Sequence, residues 1–237
     1  MGNTYVREDS LESNGRASRS SSILRKYSKS LKCKDSEGVS KAPSTDDPSE
    51  AGEQKTKDSV ERQDREGRGD MGEKNEQEGE EPPSQLTEEQ KETVKRTWKI
   101  IEASVAKVGV VLFMGLFETH PDVQEVFTPF RGLPMEQVQQ SKELRAHALR
   151  VMGFVEKAVR RLDQPEKLVP LVQECGRNHC HYGAQVQHIS LVGPQFLQAI
   201  RPALEDEWTE EVELAWDLLM KNIAYVMKRS MREEMKH

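Results

Sequence analysis

Between Ser36 and Gln85 lie fifty consecutive residues without one leucine, isoleucine, phenylalanine, tyrosine or tryptophan. The same stretch holds 7 Lys+Arg against 15 Asp+Glu. A segment this polar and this charged cannot bury enough apolar surface to offset the entropy lost on ordering. It predicts a disordered acidic spacer over 36–85. Ahead of it, residues 1–35 are basic, with 8 Lys+Arg and 4 Asp+Glu. Together the two form a long disordered extension over 1–85. What can fold is confined to residues 86–232, about 150 residues and enough for one compact domain, with a short charged tail at 233–237.

Several classes are excluded by the same accounting. No run of 18 or more apolar residues exists, so no membrane span is expected. The N-terminus lacks the apolar stretch of a signal peptide. Three cysteines (Cys33, Cys175, Cys180) cannot close a disulfide framework, which fits a reducing, cytoplasmic setting. A net charge of −6 with one short basic stretch argues against nucleic acid as a partner. The chain has no internal repeat, and a monomer is expected.

Within 86–232 the apolar residues recur at helical spacing throughout. Thr87 and Gln90 in Leu86-Thr87-Glu88-Glu89-Gln90 form a capping box, followed by Val94, Trp98 and Ile101. A second helix, about 104–118, stops at His120-Pro121. The stretch from Phe127 to Pro134 reads as a corner. A long amphipathic helix runs from about Ser141 to Leu162, with Leu144, His147, Val151, Phe154 and Ala158 on one face. Pro165 opens the next helix, where Leu168, Val172, Cys175 and His179 share a face, and Gly183 ends it. An apolar stretch from about Val186 to Leu204 contains Gly193-Pro194 and Pro202, which predicts a kink or an early stop. The last helix begins near Thr209. No segment alternates with period two, so the fold class is all-α, with about six to eight helices.

Of six histidines, two sit on apolar helix faces, where a bare imidazole needs a partner. They are His147 and His179, on consecutive helices joined by a short break at Gln164-Pro165, so they can face each other across a gap. Imidazole is a common axial ligand of haem iron, and an apolar slot between helices suits a porphyrin. Two satisfied core histidines would give the same pattern.

The stretch from Leu86 to about Arg232 resembles a globin at several separated places. Trp98 matches the tryptophan of the first globin helix, and Phe113 and Leu116 fit the second. Pro121 followed six residues later by Phe127 matches the corner proline and the haem-stacking phenylalanine. His147 with Val151 matches the distal histidine and its valine, and His179 the proximal histidine. Within the family, Glu118-Thr119-His120-Pro121, Glu143-Leu144-Arg145-Ala146-His147 and Arg161-Leu162-Asp163 are most similar to globin X, a neuroglobin-like group with six-coordinate haem. The resemblance implies a single globin fold, a three-on-three helical sandwich around haem b. In it His179 would be the proximal ligand, its other ring nitrogen held by a backbone carbonyl, and His147 the distal residue. A six-coordinate site would place His147 on the iron; a five-coordinate one would leave it to hydrogen-bond a bound gas. Phe127 would stack on the porphyrin, Phe113 and Val151 would wall the distal side, Ile189 and Val192 the far side, and Cys175 would pack beneath as a small hydrophobe. Phe113 offers no hydroxyl, so distal hydrogen bonding would rest on His147. Arg150 aligns with a residue that reaches a haem propionate, though a solvated helix arginine explains it nearly as well.

Cys175 and His179 also have a spacing that can bind zinc, but no second ligand pair follows. The disulfide that some neuroglobins carry near the corner is absent here, since residues 121–141 contain no cysteine. At the N-terminus, Gly2 in Met1-Gly2-Asn3-Thr4-Tyr5-Val6 makes a partial match to a myristoylation signal. A single acyl chain binds membranes only marginally. Palmitoylation of Cys33, or the basic run Arg25, Lys26, Lys29, Lys32 and Lys34, could supply the second signal for the plasma membrane. A phosphorylatable serine-rich tail is the plainer reading. Replacing Gly2 by Ala separates the two by whether the protein leaves the membrane fraction.

These residues predict reversible binding of dioxygen, carbon monoxide or nitric oxide at haem. The alternative is a haem redox catalyst, reducing nitrite or scavenging nitric oxide with a cellular reductase. A haem-free helical interaction module is the remote third reading.

Overall fold

The Thr87 hydroxyl accepts the backbone N–H of Gln90 at 3.2 Å, and the Gln90 side chain accepts that of Thr87 at 3.0 Å. This reciprocal cap starts the first helix where the sequence places it. The structure, a computed structural model, describes residues 80–237. The basic segment, nearly all of the acidic one, Gly2 and Cys33 lie outside the described residues.

Eight α-helices follow among the described residues: α1 (Glu88–Ile101), α2 (Val105–Thr119), α3 (Pro121–Val126), α4 (Met135–Gln140), α5 (Lys142–Val159), α6 (Pro165–His181), α7 (Val186–Leu204) and α8 (Glu210–Glu234). Short 3-10 turns at Glu102–Ser104, Thr128–Phe130 and Glu205–Glu207 join some of them. Among the described residues there is no strand. Ser141 and Thr209 cap α5 and α8 through their hydroxyls, and Gly183, at φ +77°, ends α6 in a conformation that suits glycine.

The core forms where helix faces meet. α2 packs on α5 and α7, while α8 packs on α6, α7 and α1. Trp98, Phe196 and Trp216 stack at their junction, with ring centroids 6.2 Å apart for the tryptophan pair and 5.3 Å for Phe196–Trp216. The Trp216 indole N–H donates to the buried Thr97 hydroxyl at 2.9 Å. The stretch Glu88–Thr119 is long and apolar enough by composition to cross a bilayer. It is nevertheless broken by a 3-10 turn, and residues 108–117 are buried in the core.

Three boundaries differ from the sequence reading. The early stop predicted at Pro194 and Pro202 does not occur, for α7 runs through both. Pro194 frees the carbonyl of Ser190, which is exposed and can turn to water. Pro202 falls in the last turn, and burial of Phe196, Ala199, Ile200 and Leu204 holds the helix together. α5 ends at Val159, short of Leu162, because the chain must turn towards Pro165. Gln164 is driven out of the helical region (φ −129°, ψ 68°) by the proline after it. Finally, α8 continues to Glu234, inside the predicted tail.

Candidate functional site

α5 and α6 carry His147 and His179, and the two helices touch each other only lightly. Each is backed by a different partner, α5 by α2 and α6 by α8. A crevice is therefore framed by two helix faces that are apolar but incompletely covered. Phe127, Val151, Phe154, Leu168, Cys175 and Val192 all pack against the core while staying partly exposed.

On the α5 side, His147 is half-buried. Its ring meets Phe113 edge-on at 4.7 Å between centroids and Phe127 at 5.2 Å. Phe113 and Phe127 also meet each other edge-on at 6.1 Å. Burial foremost, then the positive charge of Arg150 and the influence of His179, lower His147 to about 4, so the imidazole is neutral at physiological pH. Arg150 is exposed, one turn on from His147.

On the α6 side, the His179 ring donates from Nδ1 to the backbone carbonyl of Cys175 at 2.7 Å. A carbonyl only accepts, so this bond puts the proton on Nδ1 and leaves the lone pair on Nε2. The Cys175 thiol lies 3.7 Å from the same Nδ1. Burial, with a smaller push from Glu174, raises that thiol to about 11, so it stays protonated and behaves as a small apolar group. Cys175 and Cys180 are free thiols.

Of the remaining predicted residues, Ile189 is buried and Val192 half-buried on α7. Two features went unread in the sequence. Phe117 and Phe130 extend the aromatic cluster, packing on Phe127 at 5.3 and 5.7 Å. His188, near the turn between α6 and α7, is buried on α7 with Nε2 3.5 Å from Asp122 Oδ2. Its position in a helical repeat after Val186 was the one signal that could have placed it.

A family profile described as Globin matches residues 111–227. The chain carries a globin domain. Its relatives include cytoglobin-2 of Danio rerio, 29% identical over 147 residues, covering 61% of this chain and 82% of that protein. An anaerobic nitrite reductase of Gossypium hirsutum is 25% identical over 152 residues, covering 62% of this chain and 91% of that one. Among solved structures, a hexacoordinated haem protein from an anhydrobiotic tardigrade superposes with a TM-score of 0.59 at 22% identity, covering 62% of this chain and 96% of that chain. Aplysia limacina myoglobin gives 0.56 at 19%, covering 61% and 97%.

Globins are haem-binding proteins, and the crevice of this globin domain fits that cofactor on three counts. Its walls are apolar and only partly covered, as the faces of a flat porphyrin require. The Nε2 lone pair of His179 is held available by the Cys175 carbonyl. Among the described residues no group of three or more His, Cys, Asp or Glu side chains is placed to hold a metal ion, and two imidazoles are too few for a protein-only metal site. Porphyrin iron needs only one or two axial ligands from the chain.

Proposed function

We propose that this globin domain binds dioxygen and other diatomic gases reversibly at haem b, held between His179 as proximal and His147 as distal ligand. What supports this reading is that His147 and His179 stand on the partly covered apolar faces of consecutive helices, α5 and α6, each offering an imidazole ring. Bound haem would supply an iron able to bind imidazole or a small gas. The chain's own residues do the rest. The Cys175 carbonyl fixes the His179 tautomer and raises the ring's basicity. Phe113 and Phe127 meet the His147 ring edge-on, so moving that ring disturbs both aromatic contacts. Apparent gas affinity is then lowered by the fraction of time His147 stays in place. Val151, Ile189, Val192 and Cys175 would supply apolar wall, and Arg150, exposed on α5, would pair with a propionate. The tardigrade neighbour is named a hexacoordinated haem protein, which favours six-coordinate iron here.

The test is rapid mixing of the ferrous protein with carbon monoxide. The wild type should approach a ceiling rate set by departure of His147. A His147→Leu variant should bind faster and in proportion to gas concentration. Equal, gas-proportional rates in both proteins would overturn the gating role.

The names of the plant relatives favour a second reading, reduction of nitrite to nitric oxide with electrons from a cellular reductase. Phe113 and Phe127 leave His147 as the polar group on the distal side, so this activity would depend on it. Anaerobic nitric oxide release from nitrite and a reductant, lost in His147→Leu, would favour catalysis.

A further inference from the structure

At the start of α8, residues 205–217 carry seven carboxylates and no Lys or Arg. Glu210, Glu213 and Asp217 line a groove of about 320 Å³, together with Leu197 from α7 and Leu214 from α8. Leu214 is 54% exposed. Lys221 holds Asp217 at 2.6 Å and Arg96 pairs with Glu207, which leaves most of the acidic charge facing outward. The groove therefore offers an apolar floor with a carboxylate rim.

We propose that the basic segment Ile23–Lys34 of the same chain docks in this groove. Its sequence complements both parts. Ile23, Leu24, Tyr27 and Leu31 recur at helical spacing, and Arg25, Lys26, Lys29, Lys32 and Lys34 are interleaved with them. The acidic stretch 36–85 competes for the charges but offers no Leu, Ile, Phe, Tyr or Trp to meet the apolar face. The α7–α8 groove supplies both. Reach is no obstacle. The 47 residues between Lys34 and Pro82 can span up to ~3.3 Å each, against a radius of gyration of about 15 Å for a domain of this size. Tethering also keeps the segment at high effective concentration, so a modest contact suffices. Docked there, the basic run is withheld from other anionic surfaces.

Zero-length carbodiimide coupling of the full-length haem-loaded protein, followed by mass spectrometry of the monomer, tests this directly. Amide cross-links are expected from Lys26, Lys29 or Lys32 to Glu210, Glu213 or Asp217. They should fall several-fold in Leu214→Ser, which keeps every carboxylate and, at an exposed site, leaves the helical circular dichroism unchanged. Coupling of these lysines mainly to residues 36–81, coupling only between two chains, or yields indifferent to Leu214→Ser would each overturn the proposal. So would binding of the segment to phosphatidylserine vesicles with no α8 cross-link in their absence, which would assign it to lipid.

Discussion

His147 pays for its position in basicity. Burial first, then Arg150 and His179, lower it from 6.5 to about 4. An imidazole that is harder to protonate folded than unfolded contributes stability that is whole above pH 6.5 and is lost as pH falls towards 4. The shift amounts to about 3 kcal/mol. Thermal or urea unfolding of the haem-free chain should therefore weaken between pH 6.5 and 4, and His147→Leu should flatten that slope. An unchanged slope in the variant would assign the acid sensitivity elsewhere. A second residue-scale consequence concerns Thr97, whose buried hydroxyl accepts the Trp216 indole N–H. Thr97→Val keeps the shape and strands that donor, so urea unfolding should show a loss of about 1–3 kcal/mol. His147 and His179 were legible because a histidine on an apolar stripe stands out. His188 was not: only its place in the helical repeat after Val186 hinted at burial, and its partner Asp122 comes from α3, far along the chain.

At the scale of elements, the crossing of α6 and α8 is set by a glycine. A Cβ on Gly176 would lie 2.6 Å from the Met227 carbonyl oxygen and 3.0 Å from its Cα. Both are backbone atoms of α8 and cannot yield as a flexible side chain would. Gly176→Ala should force the helix carrying His179 away from its support, costing about 1–3 kcal/mol. A lowered Tm with weakened haem retention would show it; a Tm equal to wild type would mean that the crossing relaxes freely. Helix starts were readable from local chemistry, as Thr87, Ser141, Pro165 and Thr209 show. The run of α7 through Pro194 and Pro202 was not, because tertiary burial of Phe196 and Ile200 overrides a local breaker. Close approach at Gly176 was equally hidden, since the sequence does not say which helix it faces.

For the whole molecule, the boundary between polar extension and folded domain was the plainest feature of the sequence, since fifty residues without large apolar side chains leave no core to share. The globin domain from Pro82 onward contains both histidines and their entire described surroundings. A chain beginning at Pro82 should therefore take up haem with the same visible spectrum as the full-length protein, and a changed spectrum would give the extension a part in the crevice. The central claim is that His147 and His179 hold one haem from opposite sides. It is tested most directly by the visible spectrum of the purified ferrous protein without added gas, beside His147→Leu. Two-histidine ligation predicts sharp, split bands in the wild type that collapse to one broad band in the variant. A single broad band in both, or no haem uptake by either, would contradict it.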